Sequence, residues 1–290
     1  IAVTPLFSKF IYHFRLGKNI RPDGSTPLYT EMHAKKKGTP TMGGILVWGS
    51  ALALASVFWF LDRVLGIEQF HILNFLTRRE TLLPLGAMFG AALVGFLDDY
   101  LDIRGRGHKG RGIRFRVKFV LYTLVALIGA WWFYIKIGFD SIHVPFFGDI
   151  YLGILFIPFF LLVVVGTSFA VNQTDGLDGL AGGTLSIAFF CFGIISFMQG
   201  RENLAALCGV ICGGLLAFLW FNVHPARFFM GDTGSMGLGV LLAIIAFLTN
   251  TTLLLPLIGL IFVIEAGSFL LQISWRKIFI IQLFKLPSNP

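Results

Sequence analysis

Charge is scarce in this chain. Of 290 residues only 13% are Asp, Glu, Lys or Arg, against 56% hydrophobic, and mean hydropathy is +0.80. A soluble domain carries about a quarter of its residues as charges, so neither a soluble fold nor a disordered, solvating polypeptide fits. Cysteine is nearly missing as well. Cys191, Cys208 and Cys212 lie inside apolar runs and form no CxxC pair. They are expected to be packing residues and say nothing about redox compartment. Internal repeats are not visible, which counts against the inverted-repeat transporter designs. No cleavable signal peptide is visible either, and the chain opens on Ile1 rather than Met, so the start of its first helix is expected upstream.

Long apolar runs take the place of what is missing. Stretches at 42–61, 81–97, 119–135, 150–171, 180–200 and 203–222 are each nearly free of charge. All approach the length needed to cross about 30 Å of hydrocarbon. The run 233–275 is too long for one crossing and contains Asn250 and Pro256, so it is expected to divide near residue 250. Residues 1–14 read as the end of a further helix. The expectation is an all-α, polytopic membrane bundle of eight full spans and one fragment, forming a single integral-membrane catalytic domain over 1–290. Only helices or closed barrels satisfy backbone polar groups in lipid. Thirty-two Phe and 34 Gly suit helices that pack closely there.

The formal charge of +8 could suggest nucleic acid, but the cations cluster at helix ends, where topology and anionic phosphates explain them better. Nucleic acid is therefore not an expected partner. Alternation sorts the connections into two sets. The first holds 15–41, 98–118, 172–179, 223–232 and the tail after 275; the second holds 62–80, 136–149, 201–202 and the turn near 250. The first set carries 17 of the 23 Lys and Arg and the second five, which places the first on the cytoplasmic side. Seven of the ten aspartates go with it. The segment 63–80, with Phe70, Ile72, Leu73 and Phe75, reads as interfacial and amphipathic.

Four motifs fall on that cytoplasmic side. An apolar helix is expected to end at Leu97; Asp98 and Asp99 follow it, and then seven Lys or Arg by Lys118. They could merely hold the helix end at the surface, but paired acids at a bilayer boundary are costly and usually functional. Lys35 to Gly44 is a basic run turning into a helix. It is either an anchor with a cap or a phosphate site on free N–H groups at the helix start. In Asn172 to Gly179, Asp175 and Asp178 sit three apart among glycines, which favours a tight polar loop. In Asn222 to Ser235, Asp232 precedes an apolar run and alone would be an N-cap. Beside four other aspartates it becomes a candidate Mg²⁺ ligand, since that ion takes hard oxygens from one or two carboxylates and substrate phosphates. His224 either contacts substrate or fills its loop. Clustered carboxylates and cations in an apolar surround point to phosphoryl chemistry with a lipid partner.

With KKGTPTMGG at 36–44, GFLDDY at 95–100, NQTDGLDGLAGG at 172–183, FLWFNVHPARFFMGDTGS at 218–235 and VIEAGSFLLQ at 263–272, the chain resembles the phospho-N-acetylmuramoyl-pentapeptide transferase (MraY) family. That family belongs to the polyprenyl-phosphate N-acetylhexosamine-1-phosphate transferases. The resemblance implies a multi-pass enzyme of the bacterial inner membrane. It would transfer phospho-N-acetylmuramoyl-pentapeptide from its UDP carrier to undecaprenyl phosphate, release UMP and use Mg²⁺. It implies catalytic roles for Asp98, Asp99 and Asp232, with Asp232 the metal ligand. Substrate contacts are implied for Lys36, Thr41, Lys118, Asn172, Asp175, Asp178, Asn222, Phe228, Gly231 and Gln272. By the same analogy the partners are the lipid bilayer, a second copy in a homodimer, and nucleoside antibiotics as inhibitors. The nearest rival is the branch that loads N-acetylglucosamine-1-phosphate. An ion-coupled transporter is more remote, because it wants acids at the bilayer midplane and only Glu265 lies well inside a run. The family's run of three histidines after the helix corresponding to 252–275 has no counterpart among His13, His33, His71, His108, His143 and His224. Either residues beyond the given chain, including a last helix, supply it, or the chain is a divergent member of the family.

Overall fold

The computed structural model describes residues 39–71, 73–76, 80–107 and 112–279, together with residues 4, 5 and 9. Lys36 and nearly all of the fragment at 1–14 lie outside the described residues. The architecture is helical: α1 (Ile45–Arg63), α2 (Leu82–Ile103), α3 (Phe115–Trp131), α4 (Phe156–Thr174), α5 (Leu180–Met198), α6 (Glu202–Asn222), α7 (Asp232–Leu248), α8 (Leu255–Ile258) and α9 (Leu260–Phe279). Among the described residues, six helices are long and apolar enough to cross a membrane, one of them α3 continued by a π-helical turn to Ile137. The run 233–275 divides as expected, but not into two ordinary spans. Its first part is the shorter α7, and its second is bent by 81° between the segments Thr252–Ile258 and Leu260–Trp275.

One connection departs from an all-helical reading. Ser141–Val144 (β1) and Gly148–Tyr151 (β2) form an antiparallel hairpin in the register Ser141 to Tyr151 and Val144 to Gly148. Apolar Ile142, Val144 and Ile150 alternate with polar residues around a Pro-Phe-Phe-Gly turn, a period-2 signal too short to register beside the long helical runs. The segment after α1 folds back on it: Asn74 Nδ2 donates to Asp62 at 2.6 Å, Phe70 stacks on Phe58 at 6.2 Å, and Phe75 is buried.

The bundle is built around α7. All seventeen of its residues are buried, which is why it is apolar throughout rather than along one stripe. Inside lipid there is no hydrophobic drive between helices, so close approach depends on small residues. Gly234 lies against the Gly44 backbone. A Cβ at Gly237 would meet that of Ala92 on α2 at 3.1 Å, and one at Gly239 would lie 2.7 Å from Ser168 Cα on α4. The Ser168 hydroxyl donates to the Met236 carbonyl at 3.0 Å, and that of Thr233 to Ala92 at 3.1 Å. At the far end Phe247 packs against Phe160 (4.5 Å between centroids), Phe133 and Phe156. The outer helices turn Leu, Ile, Val and Phe outward along their length, as lipid-facing surfaces do. The polar end of α7 is Asp232.

Candidate active site

The start of α7 gathers residues from the described parts of all four motifs read as cytoplasmic. Gly231, at φ +75°, turns the chain into the helix. A Cβ on it would also lie 2.6 Å from both Asp99 Oδ2 and Thr41 Oγ1, so conformation and space both demand glycine. The segment 40–44 runs alongside: Gly43 N–H donates to Phe229 O at 2.8 Å, Gly44 N–H to Met230 O at 2.9 Å, and Phe229 N–H to Pro40 O at 2.8 Å. The TPTMGG and FFMGD motifs are therefore one backbone-paired unit.

Five aspartates meet here and divide into three kinds. Asp98 and Asp232 share a cation: the Lys118 ammonium donates to Asp98 Oδ2 at 2.6 Å and to Asp232 Oδ2 at 2.5 Å. Their second oxygens are also engaged. Ile113 N–H donates to Asp98 Oδ1 at 2.7 Å, and Asn172 Nδ2 to Asp232 Oδ1 and Ser235 Oγ, both at 2.9 Å. All three side chains of the triad are largely but not wholly buried, with Lys118 16% exposed.

Asp99 and Asp175 do something else. Asp99 Oδ2 accepts from Thr233 N–H at 3.1 Å, and Asp175 Oδ2 from Gly231 N–H at 3.0 Å. Those N–H groups belong to the capping residue and the first turn of α7, where unsatisfied donors and the helix dipole favour negative charge. Here carboxylates from α2 and the 172–179 loop cap the central helix from outside it. Asp178 is the third kind. Its Oδ2 takes the His224 ring at 3.0 Å and Ala226 N–H at 3.3 Å.

Asn222 clamps two loops. Its Oδ1 accepts from Gly179 N–H at 3.0 Å while its Nδ2 donates to Phe228 O at 2.9 Å. Phe228 is fully buried between Phe218 and Phe221, so it supports the 222–231 loop from behind. Arg227 lies over the Phe221 ring at 5.6 Å. Gln272 is exposed on α9, which packs along α4, and it is not drawn into the hydrogen-bonded cluster. Thr41 is 1% exposed, and its hydroxyl has no hydrogen-bond partner among the described residues. A buried hydroxyl left without a partner is costly and asks for an explanation.

The sequence reading missed Ser235 and Gly95. A Cβ on Gly95 would run into the Asp232 carbonyl. The available signal was a glycine in a helix interior, which is tolerated at a cost and usually has a packing reason. Ser235 was visible only as part of the GDTGS run.

Among the described residues no three His, Cys, Asp or Glu side chains gather into a metal cage. The donor set nonetheless fits Mg²⁺. Two carboxylate oxygens already converge on one cationic group, all acidic donors are hard oxygens, and this ion commonly takes the rest of its shell from phosphates and water.

Residues 81–250 match the family model described as glycosyl transferase family 4. Over 276 residues the chain is 39% identical to the phospho-N-acetylmuramoyl-pentapeptide-transferase of Chloroflexus aurantiacus, covering 93% of this chain and 70% of that protein. The protein of that name from Listeria monocytogenes is 38% identical over 279 residues, 94% of this chain and 79% of its own length. The one from Geobacillus kaustophilus is 37% identical over 280 residues, 96% and 80% of the two lengths.

Proposed function

The chain belongs to glycosyl transferase family 4 and, within it, to the phospho-N-acetylmuramoyl-pentapeptide transferases, and from that premise we propose how its acidic rim works. It is a polytopic helical membrane protein and an enzyme of the phosphotransferase type. The substrates are UDP-N-acetylmuramoyl-pentapeptide and undecaprenyl phosphate; the products are UMP and the lipid-linked phosphosugar. The rim faces the cytoplasm of the bacterial inner membrane, as the Lys and Arg count of the loops argues. The observation that carries this reading is the Asp98–Lys118–Asp232 triad. It joins two carboxylates and a cation from three helices at the buried start of α7.

The reaction is an exchange at phosphorus. An oxygen of the lipid phosphate attacks the phosphorus that bears the sugar, a new P–O–P link forms, and the P–O bond to uridine monophosphate breaks. A phosphate monoester has its second pKa near ~6, so the nucleophile is largely dianionic at neutral pH and needs no base. Asp98 therefore orients rather than deprotonates, and no covalent phosphoenzyme forms. Catalysis of this kind is mainly positioning and electrostatic stabilisation. Asn172, itself bonded to Ser235, holds Asp232 in one orientation. Asp99 and Asp175 hold the first turn of α7. Lys118 is placed to meet the negative charge on the transferring group. Bound Mg²⁺, held by Asp232 with Asp98, would neutralise the diphosphate.

The test is UMP release from purified protein with UDP-N-acetylmuramoyl-pentapeptide, undecaprenyl phosphate and Mg²⁺. UDP-N-acetylglucosamine serves as the competing donor, and preference for it would assign the other branch of the superfamily. UMP released before any lipid is added, with label left on the protein, would refute the single-step exchange.

A further inference from the structure

We propose that Lys118 is a resident counter-ion that holds the place of the metal, and that it leaves the Asp98–Asp232 pair when Mg²⁺ arrives. The inference deepens the reading above and rests on it for the identity of the cation. Its ground is geometric. One ammonium sits 2.6 Å from Asp98 Oδ2 and 2.5 Å from Asp232 Oδ2, between two carboxylates that come from α2 and from the first residue of α7. Mg²⁺ binds carboxylate oxygens at about 2.0–2.1 Å. A cation shared by these two oxygens and an ammonium shared by the same two oxygens claim one position. They cannot hold it together.

The remaining oxygens leave no easy alternative. Asp98 Oδ1 is tied to Ile113 N–H and Asp232 Oδ1 to Asn172, so both carboxylates are oriented with Oδ2 toward the shared point. Without a cation there, two largely buried carboxylates would face each other uncompensated, a costly arrangement. Lysine suits a temporary role. Its charge is a compact point on a flexible four-carbon stem, whereas arginine's rigid fork would lock the pair. Lys118 stands in the first turn of α3, so its stem can swing without disturbing the helix.

Charge changes sign as a result. With Lys118 between them the two carboxylates keep one excess negative charge, which repels an anionic nucleotide. With Mg²⁺ in its place the carboxylates are neutralised and the freed ammonium is available to a phosphate oxygen. Metal binding and diphosphate binding are then coupled through one side chain, and the coupling is reciprocal.

The experiment uses the full chain in detergent without substrates. Lysine acylation followed by mass spectrometry reads the reactivity of Lys118 with and without Mg²⁺. Exposed Lys136, at the other end of α3 and over the Trp131 ring, is the internal reference. Mn²⁺ binding by electron paramagnetic resonance is measured on wild type and on Lys118→Met. The expected result is protection of Lys118 without metal and labelling with it, Lys136 unchanged, and Mn²⁺ bound about tenfold tighter by Lys118→Met. If Mn²⁺ binds wild type while Lys118 stays protected, the displacement is refuted and the metal-site reading survives. If neither protein binds Mn²⁺, the metal-site reading fails and takes the displacement with it. The labelling arm needs no substitution, so a variant that fails to fold does not rescue either idea.

Discussion

Gly95→Ala is the sharpest probe of the idea that the start of α7 must sit against α2. A methyl group there would overlap the Asp232 carbonyl oxygen and lie 2.5 Å from its carbon and 2.6 Å from Thr233 N. Carbon–oxygen contacts close no nearer than about 3.3 Å, even in weak C–H···O pairs, so the two backbones must part by about 1 Å. Neither can give cheaply, because both belong to buried helices and the obstacle is main chain rather than a movable side chain. Overpacking of this sort costs about 1–3 kcal/mol. The larger effect falls on chemistry. Asp232 is the residue displaced, and a shift of about 1 Å in a positioned group costs about 100-fold in rate. Two glycines on the same helix serve as controls. A Cβ on Gly86 meets nothing within 4 Å, and one on Gly90 meets only Val125 at ordinary contact distance. Gly86→Ala should leave UMP release unchanged and gain about 0.5–1 kcal/mol of helix stability. The assay is UMP release at saturating donor and acceptor, with thermal unfolding in detergent alongside. Activity for Gly95→Ala within about twofold of Gly86→Ala would refute the reasoning.

Three further outcomes follow from the same geometry. Asp98→Asn and Asp232→Asn keep shape and remove charge, so each should lower kcat by about 100-fold or more with little change in protein yield; near-normal turnover in either would remove it from the chemistry. Asp99 should separate from them. If it acts by capping α7, Asp99→Asn keeps an acceptor for Thr233 N–H and most activity, while Asp99→Ala loses about 0.5–2 kcal/mol in thermal unfolding; an Asn variant as inactive as Asp98→Asn would make Asp99 part of the chemistry instead. Thr41→Val removes a hydroxyl that has no hydrogen-bond partner among the described residues. Unfolding should stay within about 0.5 kcal/mol of wild type or improve, while KM for the nucleotide rises if that hydroxyl serves the substrate; a stability loss without a KM change would show that it serves the fold.

Much of this was legible in the chain and some of it was not, and particular residues show why. The runs around α1 to α6 announce themselves, because a helix in lipid must hide its backbone and can do so only behind about twenty apolar side chains. The hairpin at 141–151 did not, since four-residue strands leave too short a period to outweigh their neighbours. The run after Asp232 was divided in the right place, yet nothing in it said that its first half would be wholly enclosed. A buried helix and a lipid-facing one are equally apolar, and only the glycines at 234, 237 and 239 hinted at neighbours on several sides. Among the site residues, three motifs could be picked out one by one from costly aspartates at the ends of apolar runs, and the fourth, at 35–44, from its basic run. Their division of labour could not. Asp98 and Asp99 are adjacent and chemically identical, and which one meets Lys118 and which caps α7 depends on their angular positions around α2 relative to a helix more than a hundred residues later. Phe228 carries the same ambiguity: its motif marks it as part of the site, and its burial between Phe218 and Phe221 turns it into support.

By itself the sequence determined a membrane-embedded helical chain, the connections in which its cations cluster, and the aspartate-bearing motifs from which a site could be drawn. Those properties depend on composition and period, which are local. Only the tertiary structure decided that α7 is the axis, that Asp98 and Asp232 share one ammonium, and that Asp99 and Asp175 face helix N–H groups instead. Such pairings arise where separate helices touch, and a contact between distant segments has no signature in either segment alone.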